Sequence, residues 1–416
     1  MVGIQAYATG AVTAFVLAGQ AAGVVVGRTT GVQSKYSTWM ASSIMARSQG
    51  IRTGNGGVSE LLQCGFTQRA LLAATAQYPE DTEFVPRARD YIRNSALSVI
   101  PSVSNASYDA VSWPMDRLSN GNALLILSDS SDSEAASFRT AADTLRESIN
   151  LNPRTYEDGL WYYHYPQQSY LDGMFSLAPF YTIYATHYAA TSNNTASLDD
   201  MLHQIELLWN HTYKADSGLL VHGYDASKAA SWADPVTGAS PHVWGRSLGW
   251  YSIALVETLE VLPTSPQIPT KYREYLLKKW RSLAGALIDH VDPTTGGWWQ
   301  LLDQPGREGN YIESSGSSMF TYALLKSARL GYLGSNATLA SKAVETGVRA
   351  HKYITDTFVI HQANGTLEWN GTVAVCSLNS TASYDYYIHQ PILFNSVLGS
   401  AAYVFASLET ERLGGQ

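Results

Sequence analysis

The chain has 416 residues, 45% of them hydrophobic, and a formal net charge of −8 without long runs of like charge. Such a chain can bury a large core and could form two or three domains. The acidic balance argues against nucleic-acid binding and against adsorption to an anionic membrane. There are 26 Tyr and 11 Trp, many of them in polar, Gly-rich segments where aromatic rings often stack on sugars.

The first 27 residues contain no charged side chain. Residues 11–27 are apolar apart from Thr13 and Gln20, which resembles the core of a secretory signal peptide, although the usual positively charged start is missing. The run is too short and too rich in Gly and Ala to favour a membrane anchor. We therefore expect a signal peptide at 1–27, a single domain at 34–410, secretion and no stable association with a membrane.

Asn-X-Ser/Thr sequons are more frequent than composition would give by chance, which predicts an N-glycosylated extracellular protein. Two cysteines, Cys64 and Cys376, could form one disulfide bond. Two thiols cannot make a disulfide framework or a cysteine zinc cluster. The seven sequons start at Asn105, Asn193, Asn210, Asn336, Asn364, Asn370 and Asn379.

Apolar residues recur at helical spacing in twelve segments, which are separated by Gly, Pro and Asn. Twelve helices without βαβ alternation indicate six helical hairpins, and closing these into a ring gives an all-α (α/α)6 barrel. The predicted helices span 35–49, 59–77, 84–99, 118–128, 134–149, 170–190, 197–214, 244–262, 270–290, 313–331, 338–357 and 392–408.

The connections between these helices are uneven, because short links alternate with long ones at 100–117, 150–169, 215–243, 291–312 and 358–391. Trp, Tyr, His and Gly concentrate in the long connections, and long loops in a compact domain usually carry function. If inner and outer helices alternate, the long loops gather at one rim of the barrel and line a pocket there.

Asp172 is a lone carboxylate in the aromatic and apolar segment 164–187, at a point where a helix should begin. In one interpretation it caps a backbone N–H and is favoured by the helix dipole. In the other, aromatic neighbours such as Tyr170 and Phe175 desolvate the carboxyl and raise its pKa, so that it can act as a general acid. His164, in the same segment, is either a pocket residue or an ordinary loop residue.

A second acid, Asp116, stands just ahead of a helix in 112–125. It could pair with Arg117 or cap backbone, or it could face Asp172 as a second carboxylate. Glu313 is better explained as the start of an inner helix whose small residues pack closely.

The most specific stretch, 231–255, contains Trp244, Arg246 and Trp250. Arg246 and Trp250 are four residues apart and share a helix face. The guanidinium could be a stacked structural cation, or it could hold the carboxylate of a sugar acid while the indoles bind the sugar ring. Gly245 and Gly249 would be costly in an ordinary helix and allow close approach. In 384–395, three further side chains could wall the pocket: Tyr386, Tyr387 and His389.

These segments occur in a familiar order: WPMDRLSNG, YLDGMFSLAPF, HGYD, WADPVTGASPHVWGRSLGW and ESSGSSMF. From about residue 34 to 408 the chain resembles glycoside hydrolase family 105, the unsaturated rhamnogalacturonyl hydrolases, and more distantly the unsaturated glucuronyl hydrolases. The resemblance implies an (α/α)6 barrel, no metal or cofactor, and removal of a terminal 4,5-unsaturated galacturonyl residue from oligosaccharides left by a pectic lyase. We expect no other partner and a monomer.

Carried over by position, the resemblance implies that Asp172 is the acid/base and Asp116 the second carboxylate. It makes His222 a substrate contact, and it makes Trp244, Arg246 and Trp250 the sugar-binding set. His164 and Tyr170 are further candidate contacts from the residues alone.

The predicted reaction needs one proton at C4 of the enol ether and a water at C5, which a protonated Asp172 and its conjugate base could supply. Asp116 would stabilise positive charge or hold the water. Two alternatives stay open. A conventional glycosidase could use the two acids on a saturated glycan, or a secreted lectin-like protein could bind sugar through its aromatic residues alone.

Overall fold

The computed structural model describes residues 35–189, 195–335 and 337–414, so the predicted signal peptide and the sequons at Asn193 and Asn336 lie outside it. All twelve predicted helices are present. The α-helices are α1 Tyr36–Ala46, α2 Glu60–Gln77, α3 Phe84–Val99, α4 Ala106–Ser112, α5 Gly121–Ser128, α6 Ala135–Leu151, α7 Gly173–Ile183, α8 Thr195–Thr212, α9 Gly245–Val261, α10 Thr270–Asp289, α11 Ser314–Arg329, α12 Ala337–Phe358, α13 Tyr384–Ile388 and α14 Val397–Gly414. A 3-10 helix, Met115–Asn120, leads directly into α5.

Successive helices alternate between two burial patterns. Helix α9 is buried at every position from 245 to 259, as a helix enclosed by other helices must be. Helix α12 buries only one stripe, including Ala343, Gly347, Ala350 and Ile354 at helical spacing, and leaves the rest to solvent. The sequence therefore sorts the helices into an inner and an outer set.

The inner helices form a closed ring. Each inner helix packs on the next one along the chain, in the order α2, the 3-10 helix 115–120, α7, α9, α11 and α14. Helix α14 packs on α2 and so closes the ring. The outer helices α3, α6, α8, α10 and α12 each pack on the inner helix that precedes them, and α1 packs on α14. The predicted (α/α)6 barrel is confirmed.

Three pairs of short antiparallel strands decorate the barrel. They are β1 Gln168–Tyr170 with β2 Gly223–Asp225, β3 Val359–His361 with β4 Leu367–Trp369, and β5 Thr372–Val373 with β6 Ile392–Leu393. Strands β1 and β6 occupy the starts of two segments predicted as helix, so α7 begins at Gly173 and α14 at Val397. These residues form strands because they pair with strands remote in sequence, and helical periodicity cannot reveal such a pairing.

Two short helices, α4 and α13, were not predicted from the apolar pattern. Each begins with a side-chain cap: Asn105 accepts a hydrogen bond from the backbone N–H of Tyr108, and Ser383 accepts one from Tyr386. Capping of this kind stabilises a helix of one or two turns that buries few residues.

A buried ionic cluster lies between the inner helices. Arg69 on α2 forms an ion pair with Glu257 on α9 and donates a hydrogen bond of 3.1 Å to the carbonyl of Phe175. The Tyr322 hydroxyl donates to Glu257 at 2.9 Å, and Lys326 donates to that hydroxyl at 2.8 Å. The cluster therefore connects α2 with α9, which lie opposite each other in the ring, and α9 with its neighbour α11.

The two cysteines are both buried and both free, so they are not joined by a disulfide bond. Asn105, Asn210, Asn364, Asn370 and Asn379 are exposed, which leaves these sequons accessible. Among the described ranges, no helix combines the length and the apolar character needed to span a bilayer.

Candidate active site

The long loops lie at one rim of the barrel. Each long connection leads from an outer helix into the N-terminus of the next inner helix, as predicted. Asp172, Trp244 and Glu313 are the residues directly before α7, α9 and α11, and Asp116 lies in the 3-10 helix before α5. The ring therefore brings together residues that are far apart in the sequence.

Backbone hydrogen bonds between the loops fix their relative positions. Met115 N–H donates to the carbonyl of Tyr162 at 2.8 Å, and Leu171 N–H donates to that of His222 at 3.0 Å. Antiparallel pairing of β1 with β2 places Tyr170 opposite Gly223. These bonds set Asp116 beside Tyr162 and Asp172 beside His222.

Gly223 is required by this pairing, because a Cβ at position 223 would lie 2.5 Å from the carbonyl oxygen of Ser169. We expect Gly223→Ala to push β2 away from β1, to destabilise the fold by about 1–3 kcal/mol and to move His222. Urea unfolding measures the loss of stability, and a fall in kcat indicates that His222 has moved. Gly285→Ala is the matched control, since nothing lies within 4 Å of its Cβ position; equal effects of the two changes would contradict the argument.

Asp116 is 2% exposed and accepts a hydrogen bond of 2.8 Å from the Tyr162 hydroxyl. The Arg117 guanidinium donates to Ser148 and Asn152, so the alternative in which Asp116 pairs with Arg117 is not formed. Burial raises the pKa of Asp116 to about 7, the Tyr162 hydrogen bond opposes the rise, and the charge of Asp172 adds to it. Asp116 thus keeps a proton at mildly acidic pH.

Asp172 is 8% exposed and does not cap its helix. Its Oδ2 accepts a hydrogen bond of 2.5 Å from the Ser247 hydroxyl and lies 3.2 Å from Nε2 of His222. The capping interpretation is therefore wrong, because the carboxyl turns away from the first turn of α7 toward α9 and β2.

His222 is completely buried and connects Asp172 to the aromatic wall of the rim. Its Nδ1 lies 2.7 Å from the hydroxyl of Tyr387, and its ring centroid is 4.8 Å from Trp244 and 5.3 Å from Tyr170. Tyr170 in turn stacks on Tyr162 at 4.4 Å. The aromatic residues expected around the acids are thus assembled, with His222 at their centre.

Arg246 is 1% exposed and already has protein partners. It donates to the carbonyls of Val373 at 2.6 Å and Ala374 at 2.7 Å, lies 3.9 Å from Glu313, and covers the Trp244 ring at 4.7 Å. This is the stacked structural cation that the sequence left open, and it fastens the 359–396 loop to α9. A contact with a substrate carboxylate stays a prediction.

Trp250 lies deeper in the barrel, one helical turn below Arg246. Its ring packs at 4.7 Å on both Phe66 and Phe175. These are the contacts of a core residue, and its predicted role in sugar binding stays untested. His164 is exposed on the loop surface, where its ring lies 3.7 Å from Tyr163.

Glu313 caps α11, as expected for a structural acid: its carboxylate accepts hydrogen bonds from Gly316 N–H at 2.7 Å and Val373 N–H at 3.1 Å. Gly249 allows α11 to approach closely, since a Cβ there would lie 2.7 Å from Sδ of Met319. Gly249 therefore allows the close approach of two helices, α9 and α11.

Several buried polar atoms of the rim residues have no hydrogen-bond partner within the part of the chain that the structure describes. They are Oδ1 of Asp116, Nε2 of His222, and the indole nitrogens of Trp113 and Trp161. Buried donors and acceptors are normally paired, so these atoms can bind water or a polar ligand.

The sequence matches the family model "Glycosyl Hydrolase Family 88" over residues 40–414. The chain belongs to this family. A family 105 glycoside hydrolase from C. acetobutylicum ATCC 824 has a similar structure, with 32% identity, a TM-score of 0.76, and coverage of 91% of this chain and 100% of that one. The resemblance to family 105 is thereby confirmed.

Two further proteins are similar to this family 88 chain, one in sequence and one in fold. Protein Atu3128 of Agrobacterium fabrum is 34% identical over 229 residues, which cover 54% of this chain and 94% of that protein. The unsaturated glucuronyl hydrolase of Bacillus sp. GL1 is 12% identical with a TM-score of 0.59, covering 91% of this chain and 95% of that one. At that identity the likeness concerns the fold alone.

Sequence reasoning missed two side chains that bind the acids in this glycosyl hydrolase. Tyr162 is one of several aromatic residues in a long loop, and composition does not show which of these rings faces an acid. Ser247, which binds Asp172, follows Arg246 directly, and its only signal was its place in the first turn of a fully buried helix. Among the residues described, no three His, Cys, Asp or Glu are grouped as metal ligands.

Proposed function

We propose that this glycosyl hydrolase removes a terminal 4,5-unsaturated galacturonyl residue from rhamnogalacturonan oligosaccharides by hydrating its C4=C5 double bond. One observation carries the proposal: two buried carboxyl groups, Asp116 and Asp172, lie together at the aromatic rim, where burial raises the pKa of Asp116 to about 7. Protonation of an enol ether needs a neutral acid beside a place for water.

The chemistry follows from the substrate. Addition of a proton at C4 leaves an oxocarbenium-like centre at C5, and water attacks that centre as a carboxylate removes its proton. The resulting hemiketal opens and expels the rest of the oligosaccharide. The anomeric carbon is not attacked, so the carboxylate spacing that separates retaining from inverting glycosidases does not apply.

The motifs favour a galacturonyl over a glucuronyl substrate. The chain shares 32% identity with the family 105 structure and 12% with the glucuronyl hydrolase, and the segments that carry the resemblance include the residues at the rim. An unsaturated glucuronyl oligosaccharide is the second candidate, supported by the shared fold.

The test follows the ultraviolet absorbance of the C4=C5 double bond, which is conjugated with the carboxylate. We expect the protein to remove this absorbance from lyase-digested rhamnogalacturonan and to leave intact, saturated rhamnogalacturonan unchanged. Unsaturated glucuronyl disaccharides are run in parallel. Faster loss with those disaccharides would transfer the assignment to a glucuronyl hydrolase, and release of sugar from the saturated polymer would indicate a conventional glycosidase.

We also propose that the protein acts outside the cell as a glycoprotein. The apolar residues 11–27 and the five exposed sequons support this.

A further inference from the structure

His211 stands in the last turn of the outer helix α8, where two long loops of the rim meet. Its Nε2 lies 2.8 Å from a carboxylate oxygen of Glu157 in the 150–169 loop, and its Nδ1 lies 2.9 Å from the backbone carbonyl of Thr237 in the 215–243 loop. The ring also stacks on Tyr224 of β2, with centroids 4.1 Å apart and planes inclined by 8°. One imidazole therefore joins the two loops to the end of α8.

The two oxygens that face this ring are both acceptors. A backbone carbonyl has no hydrogen to donate, and an ionised carboxylate has none either. A neutral imidazole carries one hydrogen and can satisfy only one of the two oxygens, whereas the imidazolium carries two and satisfies both. The arrangement around His211 therefore fits the charged ring.

The surroundings of the ring also favour a positive charge. The C-terminus of α8 carries the negative end of the helix dipole. Tyr224 offers its π face to a cation, and burial raises the pKa of its hydroxyl well above the usual range, so this ring stays neutral. Hydrogen bonds from Thr237 and Val236 lower the pKa of Asp234, which keeps a negative charge on the 234–238 turn.

The remaining charged side chains on the adjoining segments have a fixed charge, because aspartate, lysine and arginine do not titrate between mildly acidic and neutral pH. His203, two turns earlier on α8, is a second imidazole, and its Nε2 lies 2.7 Å from the carbonyl of Glu157. A neutral imidazole can make that single bond. The side chains of fixed charge are Asp158, Lys214, Asp216, Lys228 and the ion pair of Arg154 with Asp200.

The two loops carry side chains that contact the buried acids. The Tyr162 loop, 150–169, supplies the hydroxyl that donates to Asp116, and the His222 loop, 215–243, places His222 beside Asp172. A backbone hydrogen bond of 2.9 Å joins the 234–238 turn to β2, the strand that follows His222. A link between the outer parts of these loops therefore acts on the positions of both contacts.

We propose that His211 is a positioning residue that links the Tyr162 loop to the His222 loop when its imidazole is protonated and releases one of them when the proton is lost. At mildly acidic pH both oxygens have a donor. Toward alkaline pH, one of them faces the lone pair of a ring nitrogen instead. The link itself is independent of the substrate, whereas its effect on turnover rests on the proposed function.

Amide hydrogen exchange in the free protein tests the link. His211→Phe keeps a ring for Tyr224 and removes both N–H donors. Compared with wild type at the same pH, the amides of the 234–238 turn should exchange about two- to fivefold faster at about pH 5.5 and at an equal rate at about pH 8, where the wild-type ring has also lost its second hydrogen. The 155–160 turn should respond less, because Gln204 on α8 also binds it.

Glu157→Gln gives a test in the opposite direction. The side chain is exposed, and an amide can donate as well as accept. Its nitrogen can donate to Nε2 of a neutral imidazole while the Nδ1 hydrogen stays with Thr237. At about pH 8 the 234–238 turn of this variant should therefore exchange more slowly than that of wild type, by about two- to fivefold.

His203→Phe is the matched control, since His203 lies on the same helix and binds the same loop through one bond that needs no charge. Its effect should be confined to the 155–160 turn and should not change with pH. An equal response of the 234–238 turn in His203→Phe and His211→Phe would overturn the proposal. So would a difference between His211→Phe and wild type that is absent, or that is the same at both pH values.

Turnover of lyase-digested rhamnogalacturonan shows whether the link positions the site. The titration of the two acids cancels in the ratio of kcat/KM between wild type and His211→Phe, so this ratio should be about two to five at about pH 5.5 and close to one at about pH 8. A ratio that does not change with pH would overturn the positioning role. Absence of turnover in wild type would count against the substrate assignment alone, because the exchange measurements need no substrate.

Discussion

Asp172→Asn is expected to lower kcat by about 10²–10⁴-fold without unfolding the barrel. The amide has nearly the shape of the carboxyl, so the Ser247 hydroxyl at Oδ2 keeps an acceptor, but the group can no longer take a proton. The same change at Asp116 should cost a similar factor. Because the two groups act on one reaction, the double variant should lose far less than the product of the single losses.

The measurement is the rate at which the double-bond absorbance of lyase-digested rhamnogalacturonan disappears, with circular dichroism as the check on folding. Asp234→Asn is a suitable control, since Asp234 lies in another long loop, where it binds the exposed turn residues Val236 and Thr237. Full activity in Asp172→Asn would remove Asp172 from the reaction. Sugar binding without turnover in Asp172→Asn, beside an active wild type, would exclude the lectin-like alternative, whereas sugar binding without turnover in the wild type itself would favour it.

The second large effect concerns stability. Arg69→Ala leaves Glu257 buried without its guanidinium, and loss of one partner from a buried ion pair costs about 3–5 kcal/mol. Arg69→Met with Glu257→Gln removes both charges and should recover much of the loss. Urea unfolding of the single and double variants measures the difference.

An exposed ion pair on α12 provides the comparison. Lys352 and Asp356 are four residues apart on the helix surface, and Lys352→Ala should cost about 0.3–0.5 kcal/mol. If Arg69→Ala costs no more than Lys352→Ala, the ionic cluster between the inner helices does not stabilise the ring. Lys352→Ala should keep its KM because the pair is exposed on α12, whereas Arg69→Ala also removes the hydrogen bond to the carbonyl of Phe175, about one turn of α7 from Asp172.

The helices could be predicted because each buries a stripe or a whole surface, and such patterns are local. The starts of α7 and α14 could not, because strand pairing between Tyr170 and Gly223, or between Leu393 and Thr372, depends on residues remote in sequence. A short helix such as α4 depends on one cap and gives little periodicity.

The candidate site shows the same division. The acids Asp116 and Asp172 stand out because carboxylates are rare in apolar segments. Their partners do not, since a Ser in a helix or a Tyr among aromatics is ordinary until the fold brings it to an acid. Arg246 was recognised as unusual, but which acceptors it reaches depends on the path of the 359–396 loop.

Closure of the ring has a consequence for synthesis of the protein. Gln77 at the end of α2 donates a hydrogen bond to the carbonyl of Leu408 in α14, 331 residues away. During translation, the apolar flanks of α2 and α11 that α14 covers stay without their partner until almost the whole domain has emerged. Contacts of such long range form late and leave a nascent chain prone to aggregation. Production should therefore depend on chaperones that shield apolar surface more than that of a protein built from successive, self-contained units.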